Sequence, residues 1–163
     1  MTPTMIRPIT LNDTDAVITL VNSIELFSSD ELEMLSEMLT DSLGEDSQSN
    51  SEPFWITDDN DGLDGLVGVA YCEPERMTRG TWNLQLIAVH PTYQRQGRGA
   101  NLLLFIEQAL AQRGARLLLV ETMGTPDFNY VREFYRKNGY SEEARIRDFY
   151  AQEADKIVFR KVL

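Results

Sequence analysis

The sequence predicts an α/β (α+β) fold with elements in the order β-α-α-β-β-β-α-β-α-β-β. Three observations lead to this prediction. Apolar residues recur at helical spacing in four segments, and seven other apolar runs end at turn residues, as strands do. In residues 89–103, "VHPTYQRQGRGANLL", a strand passes through a glycine-rich turn into a helix. The chain of 163 residues, 42 % hydrophobic and without internal repeats, fits one domain covering residues 1–163.

The first predicted element is a short edge strand containing Pro8, which lacks the N–H group that an interior strand needs. A helix follows, capped by Asn12 or Asp13. Its apolar face consists of Ala16, Val17, Leu20, Val21 and Ile24. A second helix has Ser28 or Ser29 as its cap and acidic residues in its first turn. Its apolar face consists of Leu32, Leu35, Met38 and Leu39.

Residues 44–53 have the composition of a surface loop. The stretch "FWITDDNDGLDGLVGVAYCE" predicts two strands joined at an Asn-Asp-Gly turn. A third strand, "RGTWNLQLIAVHP", ends at Pro91.

The second half of the chain continues this alternation. A helix after the glycine loop ends near Gly114, and its apolar face consists of Leu102, Leu103, Ile106, Ala109 and Leu110. "ARLLLVETM" reads as a strand of the fully buried type. "NYVREFYRKNGY" is a short helix that stops at Asn138-Gly139. "EARIRDFY" and "KIVFRKVL" are the two closing strands.

Composition narrows the classes of function. The net charge of −11 argues against a nucleic-acid partner. No apolar run is long enough to span a bilayer, and no secretory signal is evident, so we expect a cytoplasmic protein without a membrane partner. One cysteine and one histidine make a structural zinc site very unfavourable, and we expect no metal. Cys72 is expected to be a small core residue, and His90 to shape a turn.

The charge is divided unevenly along the chain. Residues 1–80 hold 17 acidic and 3 basic side chains, a net charge of −14, whereas residues 81–163 hold 9 and 12, a net charge of +3. This division fits either a solvated acidic surface or two ligands of opposite charge, one for each half.

The glycine loop is the clearest candidate for a binding site. Gly97 and Gly99 allow a ligand to approach the backbone closely, and the N–H groups at the start of the helix attract anions. Arg95 and Arg98 are expected to add positive charge at the rim. A plain tight turn is the alternative. The loop is not the P-loop of nucleotide triphosphatases, because no Gly-Lys-Ser/Thr follows.

Two motifs together carry a family resemblance. Gln94-x-x-Gly97-x-Gly99 after "LQLIAVHP", and the block "VREFYRKNGY", resemble the signatures of the GNAT acetyltransferase superfamily. The resemblance covers nearly the whole chain. It implies a mixed central β-sheet of about six to seven strands flanked by about four helices. It also implies an N-acetyltransferase, an acyltransferase that moves an acetyl group from acetyl-CoA directly to a primary amine in a ternary complex.

The resemblance also implies where the cofactor lies. Backbone N–H groups of Ile87 and Val89, on the preceding strand, are expected to bind the thioester and pantetheine. A backbone N–H group there can stabilise the oxyanion that forms during transfer. The implied cofactor-binding residues are Ile87, Ala88, Val89, Gln94, Arg95, Gln96, Gly97, Arg98, Gly99 and Ala100. Asn129 is a further contact, although the family asparagine corresponds to the position of Phe128 here.

Two residues are candidates for the chemistry. Tyr135 matches the family tyrosine that protonates the departing thiolate, and a phenol suits that role. Its alternative is a tyrosine that only packs in the helix. Glu121, in an otherwise apolar strand, is the best carboxylate for the base, because Asn83 and Gln85 are not bases. The alternatives are a buried glutamate that is paired with a neighbouring side chain and a glutamate at the exposed end of the strand.

The acceptor is expected to be a cationic small-molecule or peptide amine. A homodimer is compatible with the sequence, which leaves the oligomeric state open. Two other functions stay open. One is a catalytically silent acyl-CoA-binding or regulatory module on the same fold. The other is a protein-interaction domain whose acidic helices in residues 12–43 bind a basic partner.

Overall fold

The computed structural model describes residues 6–24, 27–43, 53–62 and 65–163. In this part of the chain, seven strands and four helices follow the predicted order, which confirms the predicted fold class. The elements are β1 Ile6–Pro8, α1 Thr14–Asn22, α2 Ser29–Leu43, β2 Phe54–Asp58, β3 Gly68–Pro74, β4 Thr81–Val89, α3 Arg98–Gln112, β5 Leu117–Met123, α4 Asn129–Lys137, β6 Ser141–Ala151 and β7 Ala154–Val162.

The strands form one mixed sheet in the order β1-β2-β3-β4-β5-β7-β6. β4 and β5 are parallel, in a register that runs from Thr81 opposite Leu117 to Leu84 opposite Val120. The pairs β1–β2, β2–β3, β5–β7 and β6–β7 are antiparallel. Pro8 lies in β1 at the edge of the sheet, as its missing N–H group predicts.

Two compact units can be distinguished within the chain. The first comprises the described residues up to Glu73 together with Leu86–Ile106, and the second comprises Pro74–Gln85 and Glu107–Leu163. The single domain over residues 1–163 stays a prediction.

The core of the first unit lies between its helices and strands. Trp55 of β2 stacks on Tyr71 of β3, with ring centroids 4.3 Å apart. The predicted apolar faces of both helices contribute to this core through Val17, Leu20, Val21, Leu35 and Leu39. Cys72 is buried, as expected for a small core residue.

The caps of the first two helices differ from each other. Ser28 caps α2 as predicted, since its backbone N–H donates to Glu31 Oε2 and its hydroxyl accepts from the Glu31 N–H. Asp13 precedes α1, but its carboxylate does not bond the helix amides. It accepts instead from the Thr10 N–H at 2.8 Å and from Arg7. The predicted capping role of that side chain is therefore wrong, because a guanidinium competes for it.

The hairpin of β2 and β3 is confirmed, with Trp55 opposite Tyr71. Its turn has positive φ angles at Asn60, Asp61 and Gly62, a conformation that suits these residues. Of the predicted surface loop 44–53, all but the last residue lies outside the described part of the chain.

In the second unit, β5 is buried on one face only. Leu118, Val120 and Thr122 are buried, whereas the alternate residues are half-buried. The prediction of a fully buried strand is therefore wrong. A parallel pairing with β4 is present, but an antiparallel pairing with β7 follows on the other side. α4 ends at Lys137, and Gly139 has a φ of 89°, which confirms the predicted stop.

Candidate active site

The end of β4 is shaped by side chains that bond back to the backbone. The His90 imidazole accepts a hydrogen bond from the Thr92 N–H through Nδ1 at 3.2 Å, which confirms its role in the turn. Gln94 Nε2 donates to the Val89 carbonyl at 2.9 Å. Gln96 Nε2 donates to the Thr92 carbonyl at 3.1 Å. The two glutamines of the motif therefore hold the loop in place with their side chains.

The glycine loop itself turns through the left-handed region of backbone conformation. Arg95 has a φ of 63° and Gly97 a φ of 80°. A Cβ atom built on Gly97 would meet nothing within 4 Å, so this side of the loop is open. α3 begins at the next residue, Arg98, and the N–H groups of its first turn lack acceptors within the helix. Gly99 and Ala100 lie in this first turn.

The two arginines of the loop differ in position. Arg95 is exposed. The Arg98 side chain is only 4 % exposed, and its guanidinium contacts the Asp58 carboxylate at 3.0 Å. The prediction that Arg98 adds charge at the rim is therefore wrong, because a buried carboxylate neutralises it. Its backbone N–H still belongs to the start of α3.

The predicted thioester-binding residues lie at the end of β4. Ala88 is buried, and Ile87 and Val89 are half-buried. The observed register with β5 stops at Leu84, five residues before β4 ends. Ile87, Ala88 and Val89 thus lie beyond the segment that pairs with β5.

In the second unit, Glu121 lies in a polar cluster on the half-buried face of β5. Lys156 of β7 pairs with Glu121 Oε1 at 2.9 Å. Asn83 of β4, buried to 3 % exposure, directs its Nδ2 at Glu75 Oε1 at 2.9 Å and at Glu121 Oε1 at 3.4 Å. One amide therefore bridges two carboxylates, and Glu121 has both a cation and an amide beside it.

Aromatic residues of β6 border the same cluster. Lys156 Nζ lies 4.2 Å from the centre of the Phe149 ring, within the range of a cation–π contact. Tyr150 is 43 % exposed, and the partial burial of its phenol, with the negative charge of Glu121 as the second cause, raises its pKa above the usual value.

Tyr135 lies on α4 and is only 4 % exposed. Its ring packs against Phe134, Tyr140 and Phe159 at centroid distances of 5.3 to 5.7 Å. This packing fixes the ring, and it is compatible with both the acid role and the packing role.

Asn129 is the first residue of α4 and is exposed. The turn before it is held by Arg132, whose NH1 donates to the carbonyls of Met123 and Thr125 at 2.7 and 2.9 Å.

Within the described residues, no group of three or more His, Cys, Asp and Glu side chains could hold a metal ion. None of the helices in these residues is long and apolar enough to cross a membrane.

Comparison with known proteins decides the family. The model of the Acetyltransferase (GNAT) domain matches residues 50–142, more than half of the chain. The chain belongs to the GNAT acetyltransferase family. The family is one of acyl-group transferases, and the seven-stranded mixed sheet with four helices is the GNAT fold.

Solved structures of GNAT proteins resemble the chain over nearly its full length. A GNAT-family protein from Desulfovibrio desulfuricans is 30 % identical with a TM-score of 0.90, over 98 % of this chain and 99 % of that one. An aminoglycoside 6'-N-acetyltransferase in complex with coenzyme A is 18 % identical with a TM-score of 0.73, over 97 % and 96 %. The ribosomal-protein-S18-alanine N-acetyltransferase from Escherichia coli is 21 % identical with a TM-score of 0.73, over 98 % and 94 %. No curated protein matches the chain.

Several residues beside the GNAT motifs were not found by reasoning from the sequence. Asn60 belongs to the predicted Asn-Asp-Gly turn and Asp58 to the stretch before it, yet both bind Arg98. No sequence pattern indicated a role in the site for Glu75, Lys156 or Tyr150, because each lies in an ordinary loop or strand pattern. An acid next to a β-strand end is too common a feature to reveal a partner 40 positions away.

Proposed function

We propose that this GNAT-family protein transfers an acetyl group from acetyl-CoA to a primary amine by direct attack of the amine. The observation that carries this proposal is the loop at residues 94–100. It joins a strand to a helix through two residues of positive φ, Arg95 and Gly97, and leaves one side open. A diphosphate fits such a loop, because backbone N–H groups and the helix dipole both favour negative charge.

Each part of the cofactor has a proposed partner. Arg95 and the amides of residues 96–100 hold the pyrophosphate. Gln94 and Gln96 act indirectly, since their side chains fix the loop carbonyls. Ile87, Ala88 and Val89 offer backbone groups to the pantetheine and thioester, and Asn129 is a further contact.

Two residues of the second unit have proposed roles in the transfer. Glu121 accepts the proton that the amine loses, either directly or through water. Its carboxylate is held by Lys156 and Asn83, which restricts its orientation. Tyr135 donates a proton to the thiolate of CoA as it leaves. The tight packing of the Tyr135 ring keeps its hydroxyl in one position.

The acceptor is proposed to be a cation, free or on a peptide. The net charge of −14 in residues 1–80 would concentrate a cation near the protein. The attacking nitrogen must be neutral, so the useful charge sits on a second group of a diamine or a basic peptide. Its attraction should weaken with salt, because exposed charges are screened beyond about 10 Å at 0.1 M.

Release of free CoA from acetyl-CoA, measured over matched cationic, neutral and acidic amines at low and high salt, tests the activity and the acceptor. We expect the highest kcat/KM for cationic amines, and we expect salt to reduce this preference. If no amine releases CoA although CoA binds, the protein is a silent acyl-CoA-binding module instead.

The Gly99→Val variant tests the loop. A branched side chain in the first turn of α3 should block the approach of the pyrophosphate. We expect calorimetry to show a loss of acetyl-CoA affinity while the circular dichroism spectrum stays native. Unchanged affinity in a folded variant would exclude the loop as the site.

A further inference from the structure

A buried charged cluster lies directly under the glycine loop. Arg98 NH1 donates to both oxygens of Asp58, at 3.0 and 3.2 Å. Its NH2 donates to Asn60 Oδ1 at 2.8 Å. The Asp58 side chain is 0 % exposed and that of Arg98 only 4 %. Both charges are thus removed from water and compensated by each other.

The acceptors of this cluster are themselves held by the β2–β3 hairpin. Asp58 is the last residue of β2, and its Oδ1 also accepts from the Asn60 N–H at 2.9 Å. The Val67 N–H donates to the Asp58 carbonyl at 2.9 Å. Asn60 has a φ of 51°, a conformation that asparagine tolerates better than most residues. The carboxylate and the amide therefore point at Arg98 from a fixed turn.

The contact of Arg98 with Asp58 and Asn60 matters for the glycine loop because Arg98 lies between two glycines of that loop. It stands between Gly97, which has a φ of 80°, and Gly99 in the first turn of α3. Because glycine has no side chain, neither of these residues can hold the backbone in place by packing against its neighbours. The Arg98 side chain is only 4 % exposed and its guanidinium is held by three hydrogen bonds, so that it restrains the backbone of the residue between them.

Stability alone does not explain such a pair. Burying two charges costs much desolvation energy, and an apolar pair of similar volume is often at least as stable. The charge also adds nothing to phosphate attraction, since Asp58 neutralises it. What the pair supplies is a directional link between the hairpin turn and the start of α3.

We propose that Asp58 and Asn60 are positioning residues for the cofactor loop. Through Arg98, they hold the backbone of residues 97–99 in the conformation that receives the CoA pyrophosphate. The inference rests on the proposed function, namely that CoA binds at this loop. A loop displaced by about 1 Å loses much of its complementarity to a ligand.

The test is calorimetric binding of CoA to the full chain, with two variants. The double variant Asp58→Leu/Arg98→Met removes both charges together, so that neither is left unpaired. We expect it to keep the native circular dichroism spectrum and to bind CoA at least about tenfold more weakly. Asn60→Gly removes one acceptor while glycine keeps the positive φ, and we expect it to weaken binding about threefold.

Asp13→Asn is the matched control. It breaks another Asp–Arg pair of the same unit, Asp13 with Arg7 at 2.8 Å, while the pairing of Arg7 with Asp59 at 2.7 Å is left in place. We expect it to lower the melting temperature but to leave CoA affinity unchanged.

The outcomes are distinct. If the wild-type protein does not bind CoA, the proposed function and this inference fail together. If the wild type binds CoA and the folded double variant binds it equally well, only the inference is overturned. Should the double variant not fold, Asn60→Gly decides in the same way, since wild-type affinity in that variant also overturns the inference.

Discussion

The rings of Tyr135 and Tyr140 meet edge to face, with centroids 5.7 Å apart and planes inclined by 63°. Each side chain is 4 % exposed, and the Tyr140 hydroxyl donates to Glu107 Oε2 at 2.9 Å. Two neighbouring tyrosines with equal burial therefore have different proposed roles. Tyr140 is bonded to Glu107 and is expected to serve structure, whereas Tyr135 is proposed to serve the transfer.

Tyr135→Phe is predicted to lower kcat about 10²-fold or more, the usual range for loss of a general acid. The ring contacts remain, so CoA affinity and the melting temperature should change little. Steady-state kinetics and calorimetry measure both effects. Tyr140→Phe is the control: it should lower stability by about 1 kcal/mol through loss of one hydrogen bond and leave kcat unchanged. Equal kcat values in the two variants would return Tyr135 to a packing role.

Glu121→Gln is predicted to lower kcat about 10²-fold, because an amide cannot accept the proton of the amine. Glu75→Gln is the matched comparison, since Asn83 binds both carboxylates. It should keep most of the activity. If the two variants lose activity to the same extent, the cluster as a whole matters and Glu121 is not distinguished as the base. The measurement is kcat as a function of pH for each variant.

The pKa of Tyr150 is sensitive to the electrostatic interaction between its phenol and the Glu121 carboxylate. Burial and the Glu121 charge both raise it above the usual value of 10.0. In Glu121→Gln the phenolate loses a repulsive neighbour, so the pKa should fall, while burial keeps it above the usual value. NMR titration of tyrosine Cζ resonances, assigned with Tyr150→Phe, would detect the change. An unchanged pKa would show that the two side chains do not interact.

Asp13 is predicted to make stability depend on acidic pH. Hydrogen bonds from Arg7 lower the pKa of Asp13 to about 2 from 3.8. A lowered carboxyl pKa stabilises the folded state above the unfolded value, so this contribution is complete above about pH 4 and is lost as the pH falls through about 2. Asp13→Asn should therefore lower the free energy of unfolding by about 2 kcal/mol at pH 7. Urea denaturation of the wild type and of Asp13→Asn at pH 7 and pH 2 measures this. The difference in the free energy of unfolding should be smaller at pH 2 than at pH 7.

The order of all elements could be predicted from the sequence, because helical and strand periodicities are local. The stop of α4 at Asn138-Gly139 and the capping box of Ser28 and Glu31 are likewise local signals. The one-sided burial of β5 could not be predicted. Its apolar run reads the same whether one face or both faces are covered, and only the neighbouring strands and helices determine the difference.

In the candidate site, too, some features could be predicted from local sequence and others could not. Its glycine loop and Tyr135 lie in motifs that can be read within a dozen residues. The inward turn of Arg98 depends on Asp58, 40 positions earlier in the chain. Lys156 reaches Glu121 only because β5 and β7 are neighbours in the sheet. Such contacts follow from topology, and a single sequence does not contain them in readable form.

The proposed activity depends on the binding of CoA at the end of β4 and the start of α3. Backbone amide NMR during a titration with CoA measures this binding residue by residue. We expect the largest shift changes on the amides of residues 87–89 and 95–100, with smaller changes in the β2–β3 turn through Arg98. A titration without binding, or with changes confined to other parts of the chain, would contradict the proposed binding site.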